Sequence, residues 1–158
     1  MKPEEYAIET IDFEEIDSIR LLWEELNASH AALSPHFGYH FKGMTFEKRK
    51  AEFLDKAARG ALRIDVCIHT ATMEKVGYCV SNLIKGVGEI DSLFAQKAHR
   101  GKGVGSRLVE AAMTWMRHSG ATDITVHVAV GNEPVVNFYR QFGLLPRLIL
   151  LGSATKPD

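Results

Sequence analysis

The chain has 158 residues, with 19 basic and 20 acidic side chains and a formal net charge of −1. Hydrophobic residues make up 46% of it and charged residues 25%, which is typical of a globular domain with a buried core. The balanced charge argues against nucleic acid or a membrane as a partner, and no apolar run approaches the about 18 residues of a membrane-spanning helix. We expect a single domain over residues 1–158, in which any anion site is local.

Weak alternation predicts a first strand over residues 6–11, and Asp12 is placed to cap the helix after it. In that helix apolar residues recur at three- and four-residue spacing: Ile16, Ile19, Leu22, Trp23 and Leu26. Proline and glycine predict a loop over residues 34–39. Thr45 then resembles the N-cap of a second helix, which ends near Gly60.

Three strand-like runs follow, over residues 61–69, 76–84 and 89–95, and the short turns between them predict an antiparallel meander. The next helix covers residues 103–118 and stops at Gly120. A β-branched strand over residues 124–130 completes a β-α-β unit, so it should lie parallel to the third run. A short helix through residue 142 and a last strand over residues 144–151, interrupted by Pro146, end the predicted elements.

The most informative segment is the glycine-rich stretch between the third run and the long helix: Arg100, Gly101, Lys102, Gly103, Val104, Gly105 and Ser106. Small residues there allow a close backbone approach, and the first amides of a helix favour an anion such as a pyrophosphate. A Walker A loop is excluded because the Gly-Lys-Ser/Thr ending is absent. The dinucleotide fingerprint fails because Ser106 or Leu108 stands where its last glycine belongs.

Two motifs carry a family resemblance. Arg100, Gly103 and Gly105 fill the defined places of R/Q-x-x-G-x-G/A, the pattern of the GNAT acetyltransferase superfamily. Residues 131–144 resemble the second signature of that family, with Asn132, then Phe-Tyr, then a glycine; Leu144 replaces the usual final aromatic residue. The resemblance implies an α/β fold with a mixed sheet of about seven strands and four helices, in the order β-α-α-β-β-β-α-β-α-β.

The same resemblance implies acetyl-CoA as co-substrate. Leu93, Phe94 and Ala95, on a bulged strand that splays from its parallel neighbour, would pair with the pantetheine arm. Amides from Arg100 to Ser106 would hold the pyrophosphate. Asn132 would contact the pantetheine, or it could serve as the N-cap of the following helix.

For catalysis the resemblance assigns Tyr139 as the acid that protonates the departing thiolate; its structural alternative is a core aromatic residue. Glu89 is a candidate base, acting directly or through water, and shares a strand face with Asp91. The alternative is a solvated carboxylate. His127 follows the alternation of its strand and is interpreted as packed, with a role as base as the less favoured alternative. Cys67 and Cys79 are interpreted as buried thiols of a reducing compartment.

The acceptor end is expected in the connection between the first two helices, where His30, His36, Phe37 and Tyr39 could bind a cationic amine or plug the core. No spacing there resembles a structural zinc pattern, so no metal is expected. The acidic residues 1–5 lack a following apolar signal region, which favours a cytoplasmic location. The expected function is N-acetyl transfer to a small-molecule or peptide amine, with a non-catalytic acyl-CoA-binding module as the alternative and a homodimer as a candidate assembly.

Overall fold

The computed structural model describes residues 4–154, so the expectations for residues 1–3 and 155–158 lie outside the described part. Within it, five strands form one sheet: β1 (Tyr6–Ile11), β2 (Ala61–His69), β3 (Glu74–Ile84), β4 (Val87–Ala95) and β5 (Asp123–Val126). Five α-helices accompany them: α1 (Arg20–Leu33), α2 (Gly38–Lys42), α3 (Phe46–Arg59), α4 (Val104–His118) and α5 (Pro134–Arg140). Two 3-10 helices, Phe13–Ile19 and Lys97–His99, precede α1 and α4.

The sheet runs in chain order from β1 to β5. Its first four strands are antiparallel neighbours, and β5 pairs with β4 in parallel after the crossover through α4. The mixed α/β fold, the meander and the β-α-β unit are therefore confirmed. No helix in the described part is long and apolar enough to span a membrane.

The sheet separates two hydrophobic cores. On one face, which we call the α4 face, the apolar stripe of α4 packs with Tyr139 and with inward residues of β3 and β4, among them Val76 and Ile90. On the other, the α3 face, α1 and α3 cover the sheet, and Phe53 and Tyr78 are fully buried. A helix-facing glycine lets α4 approach closely, because a Cβ on Gly88 would collide with Met116.

Helix starts follow the expected caps. Asp12 occupies the N-cap of the 3-10 helix and its backbone amide donates to Glu15 Oε2 at 3.1 Å. Thr45 Oγ1 accepts from the Lys48 amide at 3.2 Å and so begins α3, which ends at Gly60 as predicted. Gly103 is the N-cap of α4 with a φ of 85°, a left-handed conformation that favours glycine.

The C-terminal part differs from the prediction. Residues 144–151 do not form a strand, and the sheet of the described part has five strands rather than about seven. In addition, β5 is shorter than predicted and ends at Val126 rather than at residue 130. Pro146 cannot donate to a ladder, and the side chains of Leu148, Ile149, Leu150 and Leu151 are 84–92% exposed. The segment is held beside β5 by Arg147, whose guanidinium donates to both Asp123 oxygens at 2.9 and 3.0 Å.

The helices between β1 and β2 also differ in detail. The predicted loop over residues 34–39 is shorter, because α2 begins at Gly38, and this brings the number of α-helices in the described part to five. Asn27 anchors α2 to α1 by donating from Nδ2 to the Phe41 carbonyl at 2.8 Å.

Candidate active site

The two parallel strands β4 and β5 separate partway along their length. Their pairing covers four positions and ends at Ile90 opposite Val126, whereas β4 continues to Ala95. At the same point Asp91 forms a β-bulge, because Val80 lies opposite Ser92 and Ser81 opposite Ile90. We call this point the fork. Beyond it the β4 backbone from Leu93 to Ala95 has no strand partner on its outer side within the described residues.

The open side of β4 leads directly to the glycine segment at the start of α4. Gly101 and Gly103 have φ values of 74° and 85°, and a Cβ on either would meet no atom within 4 Å. The surface above the loop is therefore open. The first intrahelical bond of α4 comes from the Arg107 amide to the Gly103 carbonyl at 3.0 Å, so the amides of residues 104–106 precede the ladder.

Charge around this helix start is positive. The first turn of α4 contains no acidic residue, and its dipole adds partial positive charge. Arg100 lies beside the loop, with its Nε donating to the Ala95 carbonyl at 2.9 Å. Lys102 pairs with Glu5 at 3.5 Å on the surface. Free amides, open space and local cations together fit the pyrophosphate of a coenzyme A molecule.

Gly105 marks a close approach between two helices. A Cβ there would lie 3.4 Å from the ring of Phe138 in α5. This contact ties the glycine segment to the second signature, whose residues form α5 and the turn before it.

Asn132 lies in that turn but does not cap α5. The N-cap is Glu133, with Pro134 at the first helical position, and the Asn132 backbone amide donates to the Ala129 carbonyl at 3.0 Å. The capping alternative for Asn132 is therefore wrong: a proline at N1 moved the cap one residue later. Within the described residues the Asn132 side chain makes no hydrogen bond, and its contact with a pantetheine stays a prediction.

Tyr139 projects from α5 into the α4-face core and is 6% exposed. Its neighbour Phe138 packs edge-on at 5.2 Å between ring centroids. Burial raises the pKa of the Tyr139 phenol, and the nearby Cys79 raises it further, so the group stays protonated through the neutral range. Tyr139 is thus a packed aromatic residue, and its role as an acid stays a prediction.

A network of charged side chains lies at the fork on the α3 face. Asp91, whose side chain is 4% exposed, accepts from Arg49 Nη2 and from Lys56 Nζ, both at 2.6 Å. Glu89, 19% exposed, accepts on Oε1 from Lys56 at 3.1 Å and from Asn82 Nδ2 at 2.9 Å. The sequence prediction that Glu89 and Asp91 share a face is confirmed, since both bind Lys56.

This network determines the charge of Glu89. Burial opposes ionisation, but hydrogen bonds from Asn82 and Lys56, with the positive charge of Lys56, hold the pKa of Glu89 below its ordinary value. Burial likewise opposes the charge on Lys56, yet Asp91 and Glu89 keep the pKa of Lys56 raised. Glu89 is therefore a stable carboxylate and a weak proton acceptor at neutral pH.

His127, which the sequence offers chiefly as a packed residue and only secondarily as a base, lies at the fork. It follows the last paired residue of β5 and was expected to be packed, but its side chain is 89% exposed. Its Nδ1 lies 3.1 Å from Glu89 Oε2. The alternation of β5 does place His127 on the same face as Glu89, and that was the available signal.

Of the four expected acceptor residues, only Phe37 and Tyr39 are in ring contact with each other among the described residues. The His30 ring lies 5.3 Å from that of Phe41, and burial lowers the pKa of His30. The Phe37 and Tyr39 rings lie 6.2 Å apart at the start of α2. His36 is exposed and, within residues 4–154, makes no ring contact with the other three.

Two close approaches bring this region toward the C-terminal half. A Cβ on Gly131 would collide with the Leu33 carbonyl, so the turn after β5 abuts the end of α1. A Cβ on Gly152 would lie 3.6 Å from the Phe37 ring.

Both cysteines are free and buried, and burial raises the pKa of each thiol, which leaves neither suited to an acyl relay. Among the described residues no group of three or more His, Cys, Asp and Glu is arranged to hold a metal ion.

The described part combines a mixed sheet, a forked parallel pair of strands, a bulged β4 and a glycine-rich helix start at the open end of the fork. This is the architecture of acyl-coenzyme A acyltransferases. Residues 31–144, more than half of the chain, match the Acetyltransferase (GNAT) family. The chain belongs to this family.

Named relatives agree with that assignment. The chain is 24% identical to an N-alpha-acetyltransferase of Sulfurisphaera tokodaii over 148 residues, which cover 90% of this chain and 81% of the relative. A putative acetyl transferase from Pyrococcus furiosus is 25% identical, with a TM-score of 0.70 over 98% of this chain and 100% of that one. Aminoglycoside N-acetyltransferase AAC(6')-Iy, solved with CoA, shares the fold, with 14% identity, a TM-score of 0.68 and 94% of each chain covered.

Three other curated N-acetyltransferases match over 56 to 74 residues. These matches cover 26–37% of the relatives' own lengths.

Proposed function

We propose that the protein is an N-acetyltransferase that transfers the acetyl group of acetyl-CoA to a primary amine of a small molecule or peptide. The observation that carries the proposal is the fork between β4 and β5, which opens onto the glycine-rich start of α4. An extended ligand arm fits beside an unpaired strand, and a pyrophosphate fits a helix N-terminus. One continuous surface therefore offers both halves of a coenzyme A site.

In this proposal the residues of the glycine segment hold the donor. The amides of Val104, Gly105 and Ser106 face the pyrophosphate, and Arg100 and Lys102 add charge from the sides. Gly101 and Gly103 keep the approach open, since side chains there would fill free space above the loop. Leu93, Phe94 and Ala95 offer backbone groups to the pantetheine arm, and Asn132 contacts it from the turn after β5.

Acetyl-CoA supplies an activated thioester, and the amine attacks it directly with both substrates bound. Backbone amides beside the Asp91 bulge stabilise the negative charge that develops on the thioester oxygen. Tyr139 donates its phenolic proton to the departing sulfur, and its raised pKa means that the phenol carries that proton at neutral pH. Glu89 contributes a fixed negative charge at the fork, where an ammonium or amine must arrive.

The acceptor is proposed to enter between α2 and the turn after β5. Phe37 and Tyr39 present aromatic faces there, and Gly131 and Gly152 bring the C-terminal half close to them. Aromatic faces attract cations, so His30, His36, Phe37 and Tyr39 are proposed to recognise an amine that carries positive charge.

We further propose a cellular location and an oligomeric state for the protein. The free, buried Cys67 and Cys79 support a reducing compartment, and we place the protein in the cytoplasm. The exposed apolar residues 148–151 and the outer edge of β5 support a homodimer, because either surface alone would invite strand pairing with a second copy.

The test is release of free thiol from acetyl-CoA in the presence of an amine panel: spermidine, an aminoglycoside, free amino acids and short peptides with free N-termini. Transfer to at least one amine, with acetylated product seen by mass spectrometry, is the expected result. Binding of acetyl-CoA in calorimetry with no thiol release for any amine would instead support the acyl-CoA-binding module. Absence of binding would overturn both functions.

A further inference from the structure

The His127 side chain occupies the fork on the α3 face. Val126, the residue before it, is the last one of β5 that pairs with β4. The ring makes one hydrogen bond within residues 4–154, from Nδ1 to Glu89 Oε2 at 3.1 Å. With the side chain 89% exposed, the second ring nitrogen is accessible to a ligand.

The carboxylate that holds the ring is itself fixed. Its other oxygen, Oε1, accepts from Lys56 and Asn82, and Asn82 is 2% exposed. Asn82 also donates to Asp91 Oδ2 at 3.2 Å, and Asp91 in turn binds Arg49. Glu89 therefore cannot turn toward a substrate without giving up its hydrogen bonds from Lys56 and from the buried Asn82, whereas the exposed imidazole can turn freely.

The partner of Nδ1 sets the state of the ring. A carboxylate at Nδ1 favours the tautomer with its proton on that nitrogen, which leaves a lone pair on Nε2. The charged groups around the ring are Glu89 and Asp91 on β4 and Arg49 and Lys56 on α3. Lys56 and Arg49 are each paired with an acidic residue. The ring therefore contacts a carboxylate directly, and the two cations lie on the far side of that carboxylate.

Strand direction places the reacting end of the donor nearby. The proposed pyrophosphate site lies after the end of β4, at residues 100–106. An arm that extends from there along the open edge of β4 runs back toward Leu93 and the Asp91 bulge, and so toward the fork. His127 and Glu89 lie where that arm must end.

We propose that His127 is the general base of the transfer reaction and that Glu89 is its positioning residue; this rests on the proposed function. Nε2 accepts one proton from the attacking amine while the nitrogen forms a bond to the thioester carbonyl carbon. The carbon–sulfur bond breaks, and the sulfur leaves as a thiol with the proton of Tyr139. The exposed imidazolium then loses its proton to water, and Tyr139 regains one from water, so the cycle closes without another reactant.

The experiment compares the wild type with His127→Ala, His127→Gln and Glu89→Gln, using acetyl-CoA and the fastest amine of the panel. Removal of the base should lower kcat on the order of 100-fold, with the Kd for acetyl-CoA within about twofold of the wild type. Added imidazole should restore part of the activity of His127→Ala. Glu89→Gln should lower kcat less and leave the KM for the amine nearly unchanged, because the ring is kept and only the carboxylate that positions it is lost.

His118→Ala, at an exposed histidine near the end of α4, is the matched control and should behave as the wild type. Survival of wild-type kcat and pH profile in His127→Ala would overturn this inference while leaving acetyl transfer intact. Loss of activity in Glu89→Gln alone would also overturn it, since Glu89 would then be the base. A wild type that transfers to no amine would overturn the proposed function together with the role of His127.

Discussion

Ile90 and Val126 form the last residue pair between β4 and β5, and the polypeptides separate immediately after them. One residue further along lie Asp91 of β4, which bulges out of the β3–β4 ladder, and His127, which follows the end of β5 and is exposed. The end of the pairing, the bulge and the charged network thus coincide at one point of the sheet. A ligand that lies along β4 and a second one that enters from the α3 face can meet there.

Gly105→Glu should weaken acetyl-CoA binding at least about fivefold relative to Gly105→Gln. A carboxylate beside a pyrophosphate costs on the order of 1–4 kcal/mol at contact distance, depending on solvation. Both side chains meet the Phe138 ring, which would lie 3.4 Å from a Cβ, so steric effects are matched and the charge differs. Isothermal titration calorimetry with acetyl-CoA gives the two Kd values.

Thr114→Glu, on an exposed position of the same helix, controls for added negative charge and should bind as the wild type does. Equal affinities of the Gly105→Glu and Gly105→Gln proteins would remove the start of α4 from the pyrophosphate site.

Tyr139→Phe should lower kcat on the order of 100-fold and leave the Kd for acetyl-CoA nearly unchanged, because the ring keeps its packing and the acid is lost. Burial holds the pKa of this phenol above its ordinary value of about 10. Its ionisation should therefore produce no alkaline decline in kcat below about pH 10. Steady-state kinetics across pH would show both effects.

Tyr6→Phe makes the same change at a tyrosine that is also buried, whose hydroxyl lies 2.8 Å from His99 Nδ1. Its kcat should stay close to that of the wild type. If the two variants lost activity equally, Tyr139 would be an aromatic core residue and nothing more.

Elements with a strong pattern in their own sequence were predicted with nearly correct ends. The strict alternation of β2 gave its ends, Ala61 and His69, and the Thr45 cap gave the start of α3. By contrast, the β-branched run after Val126 has the propensity of a strand but no strand partner among the described residues, because its pairing with β4 ends where Asp91 bulges. Strand length there depends on the neighbouring strand, which local sequence does not contain.

The parts of the candidate site that have their own sequence pattern were predicted, and the parts that depend on packing were not. The two-residue period placed Glu89 and Asp91 on one face, and the glycine motif located the start of α4. Lys56 and Arg49 carried no signal, since a charged residue on a helix looks solvent-exposed until the helix is packed on the sheet. The exposure of His127 was not predicted for the related reason that no sequence pattern shows how far α3 covers the end of β5.

Asp91→Asn should lower the free energy of unfolding by about 2–3 kcal/mol, because Arg49 and Lys56 would keep their charges without the shared carboxylate. Breaking a fully buried ion pair costs about 3–5 kcal/mol. We expect a smaller loss here because both cations are partly exposed. Urea denaturation at pH 7 measures it. Asp17→Asn is the matched surface change, at a side chain 58% exposed that pairs with Lys50, and should cost less than about 1 kcal/mol. Equal losses would show that the network at the fork is no stronger than a surface pair.

Leu150→Asp should dissociate the proposed homodimer. Residues 148–151 are all aliphatic, which is the pattern of a strand covered on both faces. In the single chain, however, Leu150 is 92% exposed. Burial of one leucine contributes about 1.5–3 kcal/mol, so an aspartate there should raise the dimer Kd more than tenfold. Sedimentation velocity over a concentration series measures the change.

Leu21→Asp, at an exposed leucine on α1, is the control and should leave the association state unaltered. A wild type that sediments as a monomer throughout, or an equal effect of Leu21→Asp, would contradict an interface at residues 148–151.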